Sequence, residues 1–176
     1  LERKYFQSRD MNKTNINEYF DEHKDPDGNI RNILFEKESR IEFAKDEINF
    51  INTQLKDDES EHRSKLLSIG LGGGYAEELI SSRFIKYAIE PDTAASAIAS
   101  EKVDFIYNDS FENVEFDSEF FDVIFAHHVI EHIKNPILFI KKISKILKIG
   151  GKLVIGTPNF DSAAARRYGK NFRLLN

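Results

Sequence analysis

Four glycines in five residues, Gly70-Leu71-Gly72-Gly73-Gly74, follow the run Leu66-Leu67-Ser68-Ile69, and a carboxylate, Glu90, stands sixteen residues beyond Gly74. Glycine lets a backbone turn tightly and approach a ligand with no Cβ in the way. Glu90 ends a second apolar run, Tyr87-Ala88-Ile89, and a right-handed crossover would return it to the side of the glycine turn. There a carboxylate can accept hydrogen bonds from a ribose diol. This is the chemistry of a nucleoside-cofactor site, although a purely structural glycine turn has the same local pattern. Spacing alone leaves the cofactor open. Read as the dinucleotide fingerprint of an NAD(P)-dependent oxidoreductase, the turn needs glycine at 75, where Tyr75 would crowd a helix start meant for a pyrophosphate. A second constellation, His128-Val129-Ile130-Glu131-His132, matches the H-x-x-E-H pattern of an inverted zinc-peptidase motif with Glu131 as base. That chemistry needs a third ligand and a helical scaffold, whereas this segment directly follows an apolar strand. His132 therefore reads as a packing or substrate-side histidine, Glu131 as a solvated or capping carboxylate, and no metal is expected.

The elements that must position these residues alternate in type. Short apolar runs near 66–70, 86–90, 103–107, 121–126 and 151–156 are separated by helical patterns, with one helix starting near Tyr75, so five strands form an α/β sheet. The clearest crossover helix has Asn135 as N-cap and Pro136 in its first turn, with Gly150-Gly151 ending it. Its expected buried face is Ile137, Ile140, Ile143 or Ser144, and Leu147, while Lys141, Lys142, Lys145 and Lys148 stay in water. Gly70 to Gly74, Glu90, Asp109 and His127 all follow strand ends, where ligands of open α/β sheets bind. Before the sheet, residues 1–62 are rich in charge and Asn, with a turn at Asp25-Pro26-Asp27-Gly28-Asn29. Ile41, Ala44, Ile48, Ile51 and Leu55 share one helical face. That face packs on the flank of the sheet; a homodimer interface or a substrate-covering lid is the alternative use. The polar connector Lys56 to Ser64 divides a helical arm, 1–63, from a core, 64–176.

Composition narrows the function classes. The chain of 176 residues is one domain by length, and 40% hydrophobic content suffices for a core. A net charge of -5 argues against a phosphate-tracking surface, and hence against nucleic acid as partner. With no cysteine there is no disulfide, thiolate nucleophile or Cys-ligated zinc. No run has transmembrane length and no signal segment opens the chain, which reads as cytoplasmic without membrane insertion. It starts at Leu1 instead of Met, as expected of a protein seen in part.

Five segments taken together carry a resemblance. Ser68-Ile69-Gly70-Leu71-Gly72-Gly73-Gly74, Ile89-Glu90-Pro91, Asn108-Asp109-Ser110-Phe111, the run from Phe121 to Ile133, and the run from Leu147 to Asn159 resemble, in order and spacing, class I S-adenosylmethionine-dependent methyltransferases. The likeness covers roughly residues 64–176 and is nearest the small-molecule branch of ubiquinone-type and surface-sugar enzymes. It implies a doubly wound, mainly parallel Rossmann-like sheet with S-adenosyl-L-methionine as cofactor and a small-molecule acceptor. By the same resemblance Gly70, Leu71, Gly72 and Gly74 approach the methionine part and Glu90, followed by Pro91, holds the ribose hydroxyls. Asp109 meets the adenine amino group with Ser110 and Phe111 beside the ring, and His127 lines the pocket near the sulfonium. His127 or His128 is the candidate base if the acceptor is a hydroxyl, as of a sugar or a lipid-linked glycan.

Two departures qualify this. The family usually carries Asp or Glu two residues before the first glycine, where this chain has Ser68. Losing that charge is expected to weaken cofactor binding by about 1.5 to 3 kcal/mol, and a non-catalytic, methyltransferase-like binding protein is the alternative function. The family's sixth and seventh strands are not in this sequence, so the fifth strand is expected to present an edge.

Overall fold

The computed structural model describes residues 4–7, 23–24, 30–31, 37–54 and 63–169. In chain order the elements are β1 (Lys4–Gln7), β2 (His23–Lys24), β3 (Ile30–Arg31), α1 (Lys37–Phe43), α2 (Lys45–Thr53), β4 (Lys65–Ile69), β5 (Ile85–Ile89), α3 (Thr93–Ala99), β6 (Phe105–Asn108), β7 (Phe121–His127), a 3₁₀ turn (Ile130–His132), α4 (Pro136–Ile146), β8 (Leu147–Gly156) and α5 (Ala163–Tyr168). The turn expected at Asp25 to Asn29, Leu55 and most of the Lys56 to Ser64 connector lie outside the described residues.

Six strands form one sheet in the order β1-β6-β5-β4-β7-β8, and every pairing in it is parallel. The five expected strands are all present, and the arm, expected to be helical, adds a sixth by pairing Lys4–Gln7 with Phe105–Asn108. A separate antiparallel pair joins β2 to β3. Leu66, Leu67 and Ile69 of β4, with Val123 to Ala126 of β7, are at most 4% exposed, because central parallel strands are covered on both faces. One face packs Leu67, Ile69, Ile89 and Ile124 against Phe139, Ile143 and Ile146 of α4. The other packs Leu66, Val123, Phe125 and Val154 against Ala44, Ile48 and Ile51. The apolar stripe of the arm therefore lies on the flank of the sheet, as its spacing predicts, but it is split at Ala44 into α1 and α2.

The strand order reverses at β4, since β5 and β6 build to one side and β7 and β8 to the other. Loops at the carboxyl ends of β4, β5 and β7 consequently open around one crevice.

Several local expectations are corrected. Tyr75 to Leu79 forms successive turns in place of a helix, because Gly73 and Gly74 precede it and Gly74 sits at φ +70°. Helix α4 keeps its expected start, with the Asn135 side chain accepting from the Leu138 N–H and Pro136 in the first turn. Its buried face is Phe139, Ile143 and Ile146, whereas Ile137 is 68% and Ile140 37% exposed. Nor do Gly150 and Gly151 end that helix. They lie inside β8, which gains three residues on β7 between the pairs Phe121↔Leu147 and Val123↔Lys152, and Gly150 supplies the left-handed residue at φ +80°. The segment after Gly156 carries α5, whose first turn is capped by Ser162.

Candidate functional site

The crevice is built around the glycine turn. Gly70, Gly72 and Gly74 all take positive φ, at 67°, 56° and 70°, a region costly for residues with a Cβ. A Cβ on Gly70 would also come within 2.7 Å of Val129 Cγ2. The turn is tied down from outside: the Gly70 N–H donates to the Ile89 carbonyl at 2.8 Å, and Lys102 Nζ donates to the Gly73 carbonyl at 2.6 Å. Leu71 packs against Ala88, Ala99, Val103 and Ile106 on the far side of β5.

Glu90 closes the turn. Its Oε2 accepts the Gly72 N–H at 2.7 Å and its Oε1 accepts the Asp92 N–H at 2.9 Å. The carboxyl is 3% exposed, and burial pushes its pKa up to about 7 against the lowering effect of those two backbone donors and of Arg40. Each oxygen of a carboxylate has capacity for more than one donor, so Glu90 can grip the turn and still accept from a diol. Behind it the Asn108 amide donates to the Glu90 and Pro91 carbonyls, and Asp92 caps α3 through the Ala95 N–H. The turn, Glu90 and Pro91 are thus brought together as the spacing predicts.

Asp109 follows β6 as expected and is 9% exposed. Its Oδ1 accepts from the Ser110 N–H and the Asn113 amide. Phe111 turns inward instead. At 4% exposure it belongs to the core under α4, with its ring edge-on to Phe139 at 5.1 Å between centroids.

His127 ends β7 and His128 follows it, their rings 4.4 Å apart. His128 is left-handed at φ +55°, held by its N–H donating to the Gly156 carbonyl, and its Nδ1 lies 3.1 Å from Glu131 Oε1. Burial lowers the pKa of both imidazoles; for His127 the neighbouring His128 adds to this, while Glu47 and Glu131 oppose it. Glu131 and His132 sit on a single 3₁₀ turn, so the H-x-x-E-H residues do not share an α-helical face. Among the described residues no group of three His, Cys, Asp or Glu is placed to hold a metal.

Two carboxylates escaped the sequence reading. Ser68, where an acid was expected, is 1% exposed; the fully buried Glu77 lies beside it, its carboxyl raised by burial and lowered in smaller measure by the serine hydroxyl. Neither Ser68 Oγ nor Glu77 Oε2 completes a hydrogen bond. Glu47 of α2 reaches His127, its Oε1 3.4 Å from Nδ1. A signal was present for Glu47: with Ala44, Ile48 and Ile51 at spacings of three and four, it is a charge set on the apolar face of an amphipathic helix.

A family model described as a methyltransferase domain matches residues 35–176. The ubiquinone biosynthesis O-methyltransferase of Aliivibrio fischeri is 27% identical over 103 residues, covering 54% of this chain and 44% of that protein. The mitochondrial enzyme of the same description from Rattus norvegicus is 27% identical over 134 residues, 68% of this chain and 38% of its own. The chain spans less than half the length of these curated relatives. Among solved structures, a methyltransferase of Thermotoga maritima described as S-adenosylmethionine-dependent aligns at TM-score 0.57 and 25% identity, over 77% of this chain and 63% of that one. A plantazolicin methyltransferase in complex with S-adenosylhomocysteine aligns at TM-score 0.63 and 19% identity, over 90% of this chain and 67% of its own, which shows a shared fold.

Proposed function

Since the chain belongs to this family of methyltransferase domains, we propose that it transfers a methyl group from S-adenosyl-L-methionine to a small-molecule acceptor. The observation that carries this reading is the bond from the Gly72 N–H to the buried Glu90 carboxylate, which joins bare backbone to a ribose-binding acid at the reversal of strand order. Gly70, Leu71, Gly72 and Gly74 would lie along the methionine part, Glu90 and Pro91 at the ribose, and Asp109 with Ser110 at the adenine edge. Bound there, the cofactor supplies an activated methyl whose leaving group is a neutral thioether. The protein's share is to align the acceptor, exclude water and handle a proton.

The acceptor is a hydroxyl in this reading, with His127 or His128 as the base. The ubiquinone-type relatives support an oxygen acceptor, and a hydroxyl of a sugar or lipid-linked glycan belongs to the same class. A cytoplasmic location accords with a chain that has no cysteine. Ser68 supports one second reading, cofactor binding without transfer.

Equilibrium dialysis with labelled S-adenosylhomocysteine and, separately, NAD tests the assignment. Saturable binding of the first alone is expected, weakened about ten- to a hundredfold in Glu90→Ala, as suits loss of a hydrogen bond to a charged group. Saturable binding of NAD alone overturns it. Incubating native extract with methyl-labelled cofactor then separates the two readings: label in the small-molecule pool supports transfer, and binding with no label anywhere supports a non-catalytic relative.

A further inference from the structure

We propose that Glu47 is a positioning residue that makes His127 a base for a hydroxyl acceptor, through a carboxylate–imidazole pair built over Gly156. The inference rests on the methyl-transfer reading and narrows its acceptor to an oxygen nucleophile. Three elements distant in sequence converge here. Glu47 Oε1 on α2 lies 3.4 Å from His127 Nδ1 at the end of β7, and His127 pairs in register with Gly156 of β8. A Cβ at 156 would overlap His127 Nδ1 and stand 2.5 Å from Glu47 Oε1. The niche in which acid and imidazole meet therefore exists because residue 156 has no side chain.

The pair has a direction. His127 Nδ1 is sealed from solvent and completes no hydrogen bond in this resting arrangement, with the Glu47 carboxylate 3.4 Å away, and the side chains of His127 and Glu47 remain 20% and 22% exposed. A carboxylate 3.4 Å from Nδ1 favours the proton on that nitrogen, which selects the tautomer whose free lone pair is on Nε2, the remaining ring nitrogen. The charged and titratable groups facing His127 are Glu47 from α2, His128 beside it, and Glu131 from the 3₁₀ turn, with Arg40 of α1 acting on His128. Burial and His128 keep the resting ring neutral near pH 7; Glu47 and Glu131 stabilise the imidazolium once it forms. In the transfer step the acceptor O–H gives its proton to Nε2. The oxygen's electron pair forms the new bond to the methyl carbon, the electrons of the broken C–S bond stay on sulfur, and the proton later leaves His127 for solvent.

Long-range proton–nitrogen NMR of the histidine rings in the whole chain tests this without an acceptor. In the wild type His127 is expected as the Nδ1–H tautomer. Glu47→Gln keeps that tautomer, because the amide oxygen still accepts, but moves the titration of His127 to lower pH. Glu47→Ala moves it likewise and loses the tautomer preference, and Gly156→Ala reproduces that result by forcing the partners apart. Unchanged tautomer and titration in Glu47→Ala and Gly156→Ala overturn the proposal. Dialysis with S-adenosylhomocysteine on the same variants keeps the two readings apart. No binding by the wild type sinks the methyl-transfer reading while the NMR result stands by itself. Binding lost in Glu47→Ala alone places Glu47 in the cofactor cradle and overturns its assignment to His127.

Discussion

Glu90 couples the glycine turn to pH. Its carboxyl pKa is raised from 4.5 to about 7 in the folded chain, mainly by burial. A carboxyl raised on folding contributes stability that is fully present below the unfolded value and is lost as pH rises through the folded one. The ligand-free protein should lose on the order of 3 kcal/mol between about pH 4.5 and 7 from this group. Urea midpoints of wild type and Glu90→Gln across that window check it, with the variant expected to show the flatter profile. Gly70→Ala tests the turn: left-handed backbone costs a residue with Cβ about 1 to 2 kcal/mol, and the contact with Val129 adds to it. Thermal unfolding should register a loss of at least that size. Strand-end logic sufficed to bring Glu90 to the glycines, because both ends of that relation are local to one crossover. Glu47 was not legible in the same way, since its meeting with His127 is purely tertiary and depends on the bare backbone of Gly156.

Helix α4 shows where periodicity has a blind spot. Its first turn, Ile137-Leu138-Phe139-Ile140, is apolar throughout, so a spacing of three fits more than one face. Packing chose Phe139, whose ring meets Phe111, and left Ile137 and Leu138 in solvent at 68% and 60% exposure. Phe139→Ala should cost about 3 to 5 kcal/mol, while Ile137→Ala should stay within about 0.5 kcal/mol. Equal losses in denaturant melts would contradict the observed face. The helix start was legible because a cap is local chemistry, whereas the Gly150-Gly151 pair, a helix stop by composition, serves a bulge in β8. Lys148 ties that bulge to β7 through both carboxylate oxygens of Asp122 at 2.8 Å, a contact no window of neighbouring residues reveals.

At the scale of the molecule, alternation of apolar runs and helices was enough to anticipate an α/β sheet with its crevice at the carboxyl ends. The pairing of β1 with β6 was not, because an edge strand of four residues in a charged arm carries little hydrophobic signal. Helix α2 of the arm shares a core with the sheet, as Ile51 is 0% exposed among Leu66, Val123 and Val154. Ile51→Ala should cost about 2 to 5 kcal/mol and lower one common transition. Circular dichroism and tyrosine fluorescence should therefore melt together, and an early partial step would show that α2 folds apart from the sheet. The same arrangement bears on how the chain is made. Glu47 and Ile51 leave the ribosome roughly a hundred residues ahead of Val154 and Gly156, and at about 5 to 20 residues per second the nascent helix waits for many seconds with part of its greasy side uncovered. For that interval it is a natural grip for a chaperone, and the acid destined for His127 has nothing yet to face.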